Sequence, residues 1–296
     1  MIKINQIKLP VTHSDEALKK KIIKMLKLNA KTGFTYRILK KSLDARKKPE
    51  LFYTYSVAVE IDNTKQSEES IVKRANSSSV LIYKEKEYRI PAHGNVVLDK
   101  RPVIVGAGPA GLFCAYILAE AGFCPIVIER GSKVEKRTLD VQKFWESGIL
   151  NPKSNVQFGE GGAGTFSDGK LNTLVKDPFG RQRKVMETFV EAGAPEDILY
   201  VQKPHVGTDL LVGIVEKLRN EILSLGGQIR FDSKVTDFVI DAQNHIRGVI
   251  VNDREKIEAD QVVLAVGHSA RDTFEKLLER KITMEPKPFA VGVRME

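Results

Sequence analysis

The 296-residue sequence predicts a doubly wound α/β domain preceded by a small, basic α+β domain. The first observation is an apolar strand, a glycine loop, a helix and a second apolar strand that follow one another over 102–128, the order that opens a parallel sheet. The second is charge, because residues 1–100 carry 21 basic against 11 acidic side chains and the rest of the chain is close to neutral. The basic side chains therefore belong to one segment, as expected of a separately folded module.

Composition excludes several classes of protein. A hydrophobic content of 42%, with 12 prolines and 22 glycines, is ordinary for a folded chain and argues against disorder. Lysines interrupt the first 27 residues, so no signal-peptide core is visible, and no run reaches the roughly 18 apolar residues of a membrane helix. We therefore expect a cytoplasmic protein without a membrane segment.

The first domain should combine a helix with a small sheet. Ser14 is a suitable N-cap, and apolar residues then recur at helical spacing, which predicts a helix that ends near Leu28. Three stretches have the composition of β-strands, the last two as a hairpin: 52–61, 80–83 and 88–90. The polar, serine-rich stretch 62–79 is predicted to be a loop.

The second domain is predicted to begin with strand 102–105, loop 106–111, a helix to about Ala121 and strand 125–128. Later helices are expected at 141–146, 181–192 and 210–225. Later strands are expected at 228–231, in a meander that runs through Val251, and at 261–266. This alternation is typical of a Rossmann-like fold.

Few side chains are suited to metal binding or thiol chemistry. Cys114 and Cys124 lie ten residues apart, so they match neither a zinc site nor a C-x-x-C pair, and their spacing argues against a disulphide reductase. The five histidines lack ligand spacing, and no metal site is predicted. His268 follows a strand end and could approach a cofactor, although a histidine satisfied by backbone is the commoner case.

The run Gly106-Ala107-Gly108-Pro109-Ala110-Gly111 fits G-x-G-x-x-G between a strand and a helix, the context that a dinucleotide site requires. Gly106 permits the tight turn, Gly108 lets the backbone approach a pyrophosphate, and Gly111 allows close packing of helix on strand. The helix that starts at Pro109 and Ala110 adds amide donors and partial positive charge.

Glu129 ends the second strand, 18 residues after Gly111, where a carboxylate can accept both hydroxyls of an adenosine ribose. The same carboxylate would repel a 2′-phosphate, which excludes NADP and leaves FAD or NAD for this loop. Arg130, the next residue, is a further candidate for cofactor binding.

Downstream residues resemble the later part of a glutathione-reductase-type FAD domain. The resemblance lies in the runs 226–231, 248–250 and 259–267 and in Val235. It implies that the strand near Val235 lies along the adenine and that the turn ending in Gly267 lies beside the cofactor. The resemblance therefore implies FAD.

A second glycine-rich run spans 156–173. Gly164 to Lys170 formally fits G-x-x-x-x-G-K, but Leu171 stands where a P-loop needs a hydroxyl for magnesium, which disfavours a nucleoside triphosphatase. We interpret the run as a loop that brings backbone amides, including those of Gly161 and Gly162, and the Lys170 ammonium towards the flavin or its pyrophosphate. A cation there would stabilise the anion formed on flavin reduction, whereas the alternative for Lys170 is a solvated loop lysine.

Taken together, the residues resemble the uncharacterised bacterial FAD-dependent dehydrogenases, also described as NAD(FAD)-utilizing dehydrogenases. The resemblance covers nearly the whole chain, including 42–48, 159–173 and 204–209. It implies an FAD-dependent oxidoreductase that passes hydride or electrons through a bound flavin, with NAD(P)H as a candidate electron donor. The substrate and any catalytic acid or base stay open.

One feature departs from that pattern. Flavoproteins of this type carry a later Gly-Asp motif whose Asp binds the ribityl chain, and this sequence contains no Gly-Asp dipeptide. We therefore expect a fragment, with a basic domain over 1–97, an FAD-binding domain over 98–280 and the start of a substrate domain over 281–296.

The basic first domain leaves a second function open, that of an RNA-binding or tRNA-modifying flavoprotein. Arg46, Lys47 and Lys48, with Tyr53 and Tyr55 nearby, could contact RNA, although a solvated charged face is the commoner explanation. No RNP-like or zinc-finger signature is present, so this function ranks second.

Overall fold

Two units make up the chain in the computed structural model, which describes residues 1–62, 66–167, 169–171, 173, 175–288 and 292. The first unit combines Met1–Arg89 with Asp168–Leu210, and the second combines Ile90–Ser167 with Leu211–Glu296.

The described strands are β1 (Ile2–Pro10), β2 (Phe34–Asp44), β3 (Phe52–Ile61), β4 (Val80–Ile82), β5 (Val103–Val105), β6 (Ile126–Ile128), β7 (Gln228–Arg230), β8 (Val235–Ile240), β9 (Ile246–Val251), β10 (Glu255–Glu258) and β11 (Val262–Leu264). The described α-helices are α1 (Asp15–Leu26), α2 (Glu68–Ala75), α3 (Pro109–Glu120), α4 (Val134–Ser147), α5 (Arg181–Glu191), α6 (Thr208–Ser224) and α7 (Arg271–Glu279).

The first unit contains an antiparallel sheet of order β2-β3-β1-β4. Its first six elements follow one another along the chain as βαββαβ, the succession of a split βαβ motif. Its core lies between β1, β3 and the helices α1 and α2, where Ile4, Ile22, Val57 and Ile71 are almost completely buried. The predicted first helix and the strand over 52–61 are confirmed.

Two local predictions for this unit were wrong. The stretch 88–90 forms no strand, and β4 pairs with β1 instead of closing a hairpin. The predicted loop over 62–79 contains α2, because Ile71 and Ala75 lie one turn apart on a buried face and the Ser67 hydroxyl accepts the N–H of Ser70 as an N-cap.

The second unit is built on a parallel sheet of order β11-β5-β6-β7. An antiparallel meander of order β10-β9-β8 is inserted between β7 and β11. The predicted strand, loop, helix and strand over 102–128 are confirmed as β5, α3 and β6. This parallel sheet confirms the expected Rossmann-like α/β class.

The division into units differs from the predicted domain boundaries. The segment Asp168–Leu210 falls in the first unit, whereas the sequence assigned it to the FAD-binding domain. The edge strand β2 explains this, because the Lys41 N–H donates to the Tyr200 carbonyl at 2.7 Å and the Gln202 N–H donates to the Lys41 carbonyl at 3.0 Å. Within the predicted start of a substrate domain, 281–296, residues 289–291 and 293–296 lie outside the described residues.

Among the described residues, no helix has the length and apolar character needed to cross a membrane. The same part of the chain contains no group of three or more His, Cys, Asp or Glu side chains placed to hold a metal ion.

A candidate dinucleotide-binding site

A pocket of about 420 Å³ lies in the second unit at the carboxyl ends of β5, β6 and β11. Parallel strands end at the same edge of a sheet, so the loops that follow them meet there. The wall contains the first glycine loop, Glu129 and Arg130 after β6, the second glycine loop around Gly162, Val235 at the start of β8, and the turn 265–269 after β11.

The three glycines of the first loop have different roles. Gly106 has φ +104, and a Cβ there would lie 2.5 Å from the Ala265 carbonyl oxygen. A Cβ on Gly111 would lie 1.8 Å from the Gly106 carbonyl oxygen, so both glycines are required by the protein's own packing. At Gly108, in contrast, the nearest atom to an added Cβ is Gly162 Cα at 3.9 Å, which shows that Gly108 leaves space for a ligand.

Helix α3 presents an open N-terminus to the same pocket. Its N-cap is Gly108, which has no side chain to accept the first amides, and its first turn contains no acidic residue. The N–H groups and the positive end of the helix dipole are therefore free of the usual protein counter-groups. An anionic group such as a pyrophosphate fits this position.

Glu129 is buried in the pocket wall, with 5% of its surface exposed. Its Oε2 accepts the N–H of Ala107 at 2.7 Å, and its Oε1 accepts the N–H groups of Gly131 and Gly159 at 2.9 and 3.0 Å. A carboxylate has about four acceptor positions. One position, on Oε2, is left for a ribose hydroxyl in this arrangement, so the predicted bond to both hydroxyls would need an amide to be displaced.

Replacing Glu129 with glutamine should destabilise the protein even without a ligand. A glutamine has one NH₂ group, so at least one of the three backbone N–H donors would face another donor, at a cost of about 1–3 kcal/mol. Urea denaturation of the ligand-free protein tests this, with the exposed Glu146→Gln on α4 as the control. Equal unfolding free energies for Glu129→Gln and the wild type would contradict the contacts described.

The second glycine loop closes the pocket from the opposite side. Gly159, Gly161 and Gly162 all have positive φ, at +123, +86 and +67. The Gly161 N–H donates to the Ala107 carbonyl at 2.8 Å, and a Cβ on Gly162 would lie 2.9 Å from Pro109 Cδ. The two loops therefore pack directly on one another, and side chains at these glycines would separate them.

Arg137 of α4 supports the second loop from behind. The side chain is completely buried, and burial lowers its pKa to about 10. Its guanidinium donates to four backbone carbonyls, those of Asn155, Val156, Glu160 and Gly162, at 2.6–2.9 Å. A planar guanidinium with five donors can hold several carbonyls at once, so Arg137 fixes the course of the loop.

A charged cluster lies at the rim of the pocket. Arg130 donates to both carboxylate oxygens of Asp272 at 2.8 Å and lies 4.6 Å from the centre of the Phe158 ring. Lys234 contacts the same carboxylate at 2.5 Å. Burial alone would raise the pKa of Asp272, but hydrogen bonds from Lys234 and Arg130 outweigh burial and lower the pKa below its ordinary value.

Most of the predicted cofactor residues lie together in this pocket: Gly106, Gly108, Pro109, Ala110, Glu129, Arg130, Gly162, Val235 and Gly267. Gly111 and Gly161 lie behind its surface, packed against Gly106 and Thr165 respectively. Lys170 belongs to the first unit, where it forms an isolated β-bridge with His205, and its proposed role towards a flavin stays a prediction.

Other lining residues were not predicted. They include Gln157, Phe158, Ala163, Ser233, Thr273 and Phe274. Phe158 lies inside the glycine-rich run 156–173 and could have been found there. Helix α7 was absent from the predicted elements, so Thr273 and Phe274 gave no signal. His268, considered earlier as a neighbour of a cofactor, lies in the wall and is exposed.

The parallel sheet, the two glycine loops and the carboxylate after β6 define a Rossmann-type dinucleotide-binding protein. Residues 100–276 match the family model described as pyridine nucleotide-disulphide oxidoreductase, and the chain belongs to this family. Residues 1–60 match a model described as a domain of unknown function (DUF8436).

Known proteins similar to this chain include an uncharacterized protein of Clostridium beijerinckii, 43% identical over 295 residues. The alignment covers 100% of this chain and 54% of that protein, so the chain spans about half the length of this curated relative. Among solved structures, THI4 of Thermovibrio ammonificans is 19% identical, with a TM-score of 0.41 over 63% of this chain and 64% of that chain. A GidA-related protein of Thermus thermophilus is 15% identical, with a TM-score of 0.32 over 57% and 53%.

The family membership agrees with the predicted oxidoreductase class and with FAD as the expected cofactor. The family description includes disulphide chemistry, but the two cysteines of this chain are both free. Cys114 lies half-buried on α3, where burial raises the pKa of its thiol, and Cys124 follows that helix. This chain therefore contains no closely spaced redox pair.

Proposed function

We propose that the second unit binds FAD and that the protein is an FAD-dependent oxidoreductase whose substrate is still to be identified. The observation that carries the proposal is the open N-terminus of α3 beside Gly108, at the edge of a parallel sheet and next to a buried carboxylate. The space beside Gly108 fits a pyrophosphate, and the pocket continues from there along the strand ends.

In this proposal the chain's own groups bind and orient the dinucleotide. The amides at the head of α3 would hold the pyrophosphate, and the remaining acceptor position on Glu129 would bind a ribose hydroxyl. The negative charge of Glu129 would exclude a 2′-phosphate. When bound, the flavin would accept and pass on hydride or electrons, while the protein supplies position and electrostatics.

Finer features of the proposal come from the sequence. The resemblance to uncharacterised bacterial FAD-dependent dehydrogenases supports that subgroup, and the match to the pyridine nucleotide-disulphide oxidoreductase model supports NAD(P)H as the electron donor. Lys170 is proposed to tune the flavin from the second glycine-rich run, and a cytoplasmic location is also proposed. The RNA-binding alternative gains no support from the comparisons, and we do not propose it.

The proposal is tested by adding FAD to the purified protein, removing free flavin by gel filtration and recording the absorbance spectrum. We expect a yellow protein whose flavin bands bleach anaerobically on addition of NADH or NADPH. Free FAD with the same nucleotides and no protein is the control for uncatalysed reduction. A protein that elutes colourless after reconstitution would refute FAD binding, and a flavin reduced by neither nucleotide would refute the electron donor alone.

A further inference from the structure

Glu160 is a fully buried residue of the second glycine loop, between Gly159 and Gly161. Its two neighbours make the bonds that join this loop to the rest of the site, since the Gly159 N–H donates to Glu129 at 3.0 Å and the Gly161 N–H donates to the Ala107 carbonyl at 2.8 Å. Glu160 itself does not line the pocket. Because Glu160 is joined in the chain to Gly159 and Gly161, a change in its position would move the contacts that their N–H groups make with Glu129 and Ala107.

The carboxylate of Glu160 contacts two helices. Its Oε2 accepts the N–H of Val134 and a guanidinium N–H of Arg219, both at 2.7 Å. Val134 is the first residue of α4, and the N-cap residue Lys133 supplies no side-chain acceptor to that helix. Glu160 therefore caps α4 from the loop, with its Oε2 as the acceptor for the first N–H of the helix.

Charged groups surround Glu160 on both helices: Glu135 and Arg137 on α4, and Glu216 and Arg219 on α6. Arg219, 8% exposed, also binds both carboxylate oxygens of Glu135, at 2.6 and 3.0 Å. Burial raises the pKa of Glu160 to about 7, although the Val134 N–H and Arg219 oppose this rise. Its Oε1 has no hydrogen-bond partner among the described residues, in keeping with a poorly solvated anion.

We propose that Glu160 is a positioning residue for the dinucleotide, which holds the second glycine loop against the first through Val134 and Arg219. This inference rests on the proposed binding of FAD. If the loop moved away, the carboxyl group would reach water and its pKa would return towards 4.5. The packed loop thus binds the proton more tightly than the released loop does, so protonation of Glu160 stabilises the packed loop. This stabilisation is full below about pH 4.5 and is lost as the pH rises through about 7.

The test measures the dissociation constant of FAD by flavin fluorescence quenching on the full chain, from about pH 6 to about pH 9. The wild type is expected to bind FAD more weakly as the pH rises through about 7. Glu160→Ala removes both contacts and should raise the dissociation constant about tenfold. Glu160→Gln stays neutral and can still accept the Val134 N–H, so it should bind like the wild type at the lower pH and lose the pH dependence.

Ile222→Val is the control for a general loss of stability, because Ile222 is buried on α6 one turn from Arg219 and does not line the pocket. It should lower the melting temperature and leave both the dissociation constant and its pH dependence at wild-type values. A folded Glu160→Ala protein with wild-type affinity would overturn the inference. If that variant does not fold, a wild-type pH dependence in Glu160→Gln would overturn it. A wild type that binds no FAD at any pH would refute the proposed function as well, whereas the variant results refute the positioning role alone.

Discussion

Replacing Gly108 with valine should abolish FAD binding while the ligand-free protein stays folded. The backbone of Gly108 is extended, with φ −72 and ψ −178, so a side chain there causes no backbone strain. The branched side chain would occupy the space in front of the α3 N-terminus and keep the pyrophosphate away from its amides. Loss of two charge-assisted hydrogen bonds, at about 1.5–3 kcal/mol each, raises the dissociation constant by at least about 100-fold.

Gly213→Val is the matched control, because Gly213 is exposed on α6 and an added Cβ there meets no atom within 4 Å. Fluorescence titration with FAD and a thermal melt of each ligand-free protein separate binding from folding. The expected pattern is lost binding in Gly108→Val alone, with both variants folded. Tight FAD binding by Gly108→Val would show that the pyrophosphate does not lie at this helix terminus.

Replacing Arg137 with methionine should lower the free energy of unfolding by about 4 kcal/mol and release the second glycine loop. The methionine fills much of the same space but removes the guanidinium donor from four carbonyl groups, of which the Gly162 carbonyl keeps the Thr165 N–H at 3.3 Å. Each unsatisfied buried carbonyl costs about 1–3 kcal/mol, and we take the lower end because the loop can relax towards water. The same change should weaken FAD binding, since the loop forms one wall of the pocket.

Arg137→Lys separates charge from geometry in this prediction. A lysine keeps the positive charge but lacks the planar fork that reaches several carbonyls, so its unfolding free energy should lie between those of the wild type and Arg137→Met. Arg254→Met, on an exposed turn of the same unit, controls for the loss of an arginine. Urea denaturation without FAD gives these values, and a wild-type result for Arg137→Met would show that the loop does not depend on the buried guanidinium.

The elements that the sequence failed to predict have identifiable causes. In β1 the buried positions are Ile2 and Ile4 and then Ile7 and Leu9, because a bulge shifts the register between Ile4 and Ile7 and interrupts the alternation that marks a strand. A similar shift between Ile38 and Lys40 obscures β2. Helix α2 is so short that few apolar residues mark it, although its serine N-cap and its acidic first turn were visible signals.

In the candidate site, the features set by residues close together in the chain could be predicted, and the contacts between distant segments could not. The first glycine loop and Glu129 could be predicted, because a turn, a helix N-terminus and the end of the next strand lie close together in the chain and each demands a particular residue type. The second loop was recognised as unusual, but its contact with the first loop was not predicted. That contact depends on the buried Arg137. Arginine is usually exposed, and nothing in the local sequence distinguishes a buried arginine from an exposed one.

By itself, the sequence determined a Rossmann-like domain with a dinucleotide loop and its carboxylate, since these features depend on local conformation and on residues near one another in the chain. Only the tertiary structure decided that Glu160 of the second glycine loop would meet Arg219 and that the segment Asp168–Leu210 would join the first unit. The reason is that buried ion pairs and backbone bonds between distant segments are selected by packing, and no local pattern records which partners packing brings together.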